Sequence, residues 1–97
     1  MKPVHPELLA LRQKIDAVDA ELLNLLARRF AIVDLVIEVK RTAGLPAVIP
    51  ERIEQVVQNL VQKAEWTIVP PETVDRLWRT LIEETIRYEE KSLPRLK

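Results

Sequence analysis

From Pro6 to Arg41 the chain runs without a glycine and without a second proline, so nothing in its backbone interrupts a helix over about a third of the sequence. Leu8, Leu11, Ile15, Val18, Leu22, Leu25, Arg29, Ile32, Val36 and Val39 follow one another along this run at alternating intervals of three and four. That is a heptad seam, the pattern of a helix laid against partner helices over its whole length. At about 1.5 Å per residue the helix is roughly 50 Å long, longer than a compact domain of this size is wide. The rest of the chain is too short to cover such a stripe. A second copy of the chain is expected to cover it.

The remaining sequence reads as two further helices. Residues 1–5 form a short tail, and Pro6 suits the first position of a helix spanning 6–41, with Glu7 near its positive end. Gly44, the only glycine, is a plausible left-handed terminator, and Pro46 lies just beyond it. Pro50 fits the first position of a helix over 50–64, which carries Ile53, Val56, Val57, Leu60 and Val61 at helical spacing. Trp66-Thr67-Ile68-Val69 is a short apolar connector, expected to pack down. A third helix over 71–91 follows Pro70-Pro71 and bears Val74, Leu77, Trp78, Leu81, Ile82 and Ile86 on one face. Both tryptophans are expected as core fillers. The fold class expected is all-α, a single domain over 1–97 with one long, one short and one medium helix, intertwined with a second copy as a homodimer.

Composition excludes several classes of function. Fifteen basic residues balance fifteen acidic ones, against the basic excess of a nucleic-acid or anionic-membrane surface. No cysteine is present, which removes disulfides and thiolate chemistry, and the single histidine, His5, leaves no His-based metal site or triad. No metal and no cofactor are expected. The N-terminus lacks the apolar core of a signal peptide and no stretch is long and apolar enough to span a bilayer, so a cytoplasmic location is expected.

The informative residues are charges on apolar faces. Arg29 occupies a seam position, and Lys40, eleven residues on, projects from nearly the same face because eleven steps of about 100° make close to three turns. Two cations aimed into a helix bundle are costly unless an anion meets them. On the third helix Thr85 and Glu89 continue the stripe of Val74 and Trp78, so a carboxyl group also points inward. Spacing alone favours a structural salt bridge, such as Arg29 with Glu89, over an anion-binding site. Arg12 lies about 25 Å from Arg29 along the axis and cannot serve the same pocket within one chain, though an antiparallel partner could present it there.

These residues together resemble a known family. The runs Leu8-Leu9-Ala10-Leu11-Arg12-Gln13-Lys14-Ile15-Asp16 and Leu22-Leu23-Asn24-Leu25-Leu26-Ala27-Arg28-Arg29 closely resemble the opening helix of the all-helical chorismate mutases. Lys40, Glu51-Arg52, Leu81-Ile82-Glu83-Glu84-Thr85 and Glu89 follow in the family's order, so the resemblance covers nearly the whole chain. It implies an intertwined dimer with two identical pockets that bind chorismate, a small dicarboxylate, and rearrange it to prephenate by a pericyclic reaction. Chemistry of that kind needs no nucleophile, metal or cofactor. By the same resemblance Arg12 from the partner chain and Arg29 grip the carboxylates, Lys40 meets a carboxylate and the ether oxygen, and Glu89 faces that ether oxygen. Thr85 falls near a carboxylate, and Arg52 supports the pocket.

Two positions depart from the mutase pattern. Where mutases of this class carry acidic residues around the substrate's ring hydroxyl, this chain has Ile49 and Ile53. The stretch Ile49-Pro50-Glu51-Arg52-Ile53 instead resembles the related isochorismate-pyruvate lyases, which give salicylate and pyruvate in the same fold. Glu89, usually glutamine in the lyases, and a slightly longer loop after Lys40 point back to the mutase. The resemblance places mutase activity first, lyase activity second, and a catalytically inactive dimerisation or regulatory module third.

Overall fold

A computed structural model describes residues 5–93. Among them are three α-helices and no strand: α1 Pro6–Ala43, α2 Pro50–Ala64 and α3 Pro71–Glu90. The expected tail lies, apart from His5, outside the described residues. The chain divides into two compact units, Met1–Ile32 and Val33–Lys97, and α1 contributes to both.

From Pro6 onward the first unit is helical throughout. Its apolar seam is uncovered, with Ile15 58% and Leu22 52% exposed and Leu11, Val18 and Leu25 close to these values. Burying such side chains is worth about 1.5–3 kcal/mol each, so a helix that leaves a row of them in water forgoes most of the energy that usually holds it.

The second unit is where the chain packs on itself. It begins with the last turns of α1, whose end extends two residues past the expected Arg41. Gly44 takes φ 70°, the Leu45 N–H donates to the Lys40 carbonyl at 2.8 Å, and the Gly44 N–H donates to the Arg41 carbonyl at 3.4 Å. This crossed pair of bonds is a Schellman ending, and it requires a residue at ease in the left-handed region at position 44. Pro50 and Pro71 open α2 and α3 as expected, where their missing N–H costs nothing.

Helices α2 and α3 pack on one another. Val57 is fully buried, and Ala64, Val74 and Ile82 are also buried. Arg79 links the pair from outside the core: its guanidinium donates to both Glu54 carboxylate oxygens on α2 and through Nε to Asp75 on its own helix. A second cluster joins Val33 and Ile37 of α1 to Leu93, with Ala47 and Tyr88 packed against it.

The connector between α2 and α3 corrects the expectation that it packs down. Trp66 is 90% exposed and Ile68 fully exposed. The reason is local: six residues must reverse the chain, and Thr67 does so by donating its hydroxyl to the Ala64 carbonyl and accepting from the Val69 N–H. With the backbone turned back on itself, the flanking side chains project outward. Trp66 is therefore not a core filler in the single chain, whereas Trp78 is partly buried.

Candidate active site

Lys40 sits near the end of α1, one turn before the Schellman ending, and Glu89 sits in the last turn of α3. Both side chains are largely buried, and the second unit brings them together. Lys40 Nζ donates to Glu89 Oε1 at 2.7 Å and to the Ala47 carbonyl oxygen at 2.9 Å. Their side chains retain only 12% and 6% of their exposure. An ammonium has three N–H donors and no acceptor, so the two bonds leave one donor uncommitted by them. Thr85 is buried one turn before Glu89, and its hydroxyl donates to the Leu81 carbonyl at 2.8 Å. The partner found for the inward carboxylate is thus Lys40, from the same helix as Arg29.

Arg12 is exposed on α1 and Arg29 is partly buried there, both within the first unit. Arg52 is exposed at the start of α2 and donates to Gln55 Oε1 at 2.6 Å on its own helix. Ile49 and Ile53 are partly buried at the α2 N-terminus, where the Ile49 carbonyl accepts from the Arg52 and Ile53 N–H groups.

Two features escaped the sequence reading. The Ala47 carbonyl is a backbone acceptor, and no side-chain pattern announces it. The Tyr88 hydroxyl donates to Asp34 Oδ1 at 2.6 Å, tying the end of α3 to α1 beside Glu89. That bond favours the protonated phenol and pushes Tyr88 above its ordinary value. Its signal was available only as a polar tip on the apolar face carrying Leu81 and Thr85. Among the described residues, no group of three His, Asp or Glu side chains is arranged to hold a metal ion, and no helix is long and apolar enough to cross a membrane.

Chemically, the second unit offers a largely desolvated cation, with one donor uncommitted by its two bonds, beside a carboxyl group. That set suits an oxyanion or an oxygen on which negative charge develops, because a donor in a dry setting acts more strongly than in water.

Comparison with known proteins gives the same direction. A family model described as chorismate mutase type II matches residues 11–90. The T-protein of Enterobacter agglomerans is 41% identical over 83 residues, which cover 86% of this chain and 22% of that protein. The bifunctional chorismate mutase/prephenate dehydratase of Aquifex aeolicus (strain VF5) is 30% identical over 88 residues, covering 88% of this chain and 24% of that protein. The 4-amino-4-deoxychorismate mutase of Streptomyces pristinaespiralis is 37% identical over 82 residues, or 84% of this chain and 64% of that protein. The chain therefore spans less than a quarter of the first two relatives and just under two thirds of the third.

Proposed function

The chain belongs to the chorismate mutase type II family, and from that membership we propose that it rearranges chorismate to prephenate. The observation that carries this reading is the buried Lys40–Glu89 pair, with one ammonium donor uncommitted by the two bonds. Such a pair adds little net stability, because desolvating two charges offsets most of their attraction. A ligand oxygen in front of it changes that balance.

In this reading the remaining Lys40 N–H is shared between a substrate carboxylate and the ether oxygen of the breaking bond. Glu89 faces the same ether oxygen, and Thr85 stands near a carboxylate. Arg29, with Arg12 of a partner chain, meets the carboxylates through guanidinium forks suited to that geometry. Arg52 supports the pocket from α2. The rearrangement then gains from holding the compact reactive conformer and from stabilising charge on the ether oxygen, with no covalent intermediate, metal or cofactor. The assembly proposed is a homodimer in which each chain's exposed seam covers the other's.

A second reading is isochorismate-pyruvate lyase, favoured by the apolar Ile49 and Ile53 where the mutase pattern has acidic groups. The relative whose name specifies an amino group on the ring adds a third candidate substrate. The test is to incubate the purified protein separately with chorismate, isochorismate and 4-amino-4-deoxychorismate, following prephenate, salicylate with pyruvate, and the rearranged amino acid product. Prephenate as the dominant product is expected. Salicylate in excess establishes the lyase instead. No product from any substrate, with the helical signal intact, overturns both in favour of an inactive dimerisation module.

A further inference from the structure

We propose that the segment from Gly44 to Ile49 is a positioning clamp for Lys40, in which the Ala47 carbonyl fixes the ammonium so that its third N–H is presented to the ligand. The kinetic part rests on the mutase reading above, but the geometry does not. A lysine ammonium rides on four rotatable bonds, and a single acceptor leaves it free to pivot. Here the acceptors belong to two different elements: Glu89 Oε1 on α3 at 2.7 Å and Ala47 O on the loop at 2.9 Å. Together they restrict the head group in a way neither does alone.

The loop is anchored at two points. Its first turn is hydrogen-bonded to the backbone of Lys40 itself, through the Leu45 N–H at 2.8 Å. The residue that carries the ammonium therefore also starts the chain reversal that returns a carbonyl to it. That reversal depends on the left-handed Gly44, φ 70°. The Ala47 methyl then packs against the cluster of Val33, Ile37 and Leu93, which sets the direction of the adjoining carbonyl. A Cβ at position 44 would meet nothing within 4 Å, so substitution there acts through backbone conformation alone. Asparagine, which tolerates the left-handed region, and valine, which does not, form a matched pair of probes.

The most direct test replaces the Ala47–Val48 amide by an ester in a chemically ligated full-length chain. This weakens the carbonyl as an acceptor and leaves every side chain in place. Two readouts are taken: solvent exchange of the Lys40 ammonium protons by ¹⁵N NMR, and kcat and KM with chorismate. The expected result is exchange faster by about tenfold and kcat lower by about tenfold with KM nearly unchanged, as for a lost bond to a charged group. Gly44→Val is expected to follow the ester in both readouts, and Gly44→Asn to restore most of the loss. An ester chain with wild-type exchange and wild-type kcat overturns the clamp. A wild-type chain that forms no prephenate overturns the mutase reading instead, and the exchange experiment still decides the clamp.

Discussion

At the scale of single residues, the question is whether Lys40 and Glu89 hold the fold together or act on a ligand. Removing one partner leaves a buried charge uncompensated, so Lys40→Ala is expected to cost about 3–5 kcal/mol as well as activity. That variant cannot separate the roles. The double variant Lys40→Met/Glu89→Leu can, because a buried ion pair exchanged for apolar side chains of similar volume is generally neutral or stabilising. Its melting temperature is expected at or above wild type, while kcat/KM falls at least 100- to 1000-fold, roughly the worth of one donor aimed at developing charge. A double variant that unfolds makes the pair structural.

At the scale of elements, what was readable from sequence was what local backbone chemistry dictates. Pro50 and Pro71 opened their helices because a ring-locked φ suits the first helical position, and Gly44 ended the first helix because glycine is at ease in the left-handed region. Lys40 and Glu89 stood out as charges on apolar stripes. The α2–α3 connector did not follow its hydrophobicity, since a six-residue reversal satisfied by Thr67 leaves Trp66 and Ile68 no inward direction. Nor was the Ala47 carbonyl visible, because every residue has one. The Arg79 link between α2 and α3 was equally hidden: the residue lies outside the core, yet it spans two helices. The Arg79 guanidinium holds Glu54 below the usual carboxylate range, chiefly through its hydrogen bonds. A depressed carboxylate stabilises the fold above its unfolded value and loses that contribution as pH falls through the folded one. The melting temperature of Arg79→Ala is therefore expected below wild type at neutral pH, with the gap closing as the acid range is entered. A gap independent of pH assigns the loss to packing of the arginine stem instead.

At the scale of the whole molecule, the seam from Leu8 to Leu25 is what a single chain leaves uncovered. Its leucines, isoleucine and valine are about half exposed in one chain, a larger apolar row than single chains ordinarily leave in water. In the homodimer proposed above, a second copy covers the row and also brings Arg12 to the pocket that holds Lys40. Arg12→Ala and Lys40→Ala each disable every pocket of their own homodimer. A mixed dimer of the two variants contains one pocket with both lesions and one with neither. Unfolding and refolding the two inactive proteins together in equal amounts is therefore expected to restore activity to about a quarter of the sites, the share that random pairing of a symmetric dimer assigns to intact pockets. Activity that returns only on co-refolding, and tracks the mixed species on ion exchange, places Arg12 in trans. A mixture as inactive as its components removes Arg12 from the pocket that holds Lys40. It then leaves the exposed seam as a dimerisation surface without a catalytic duty.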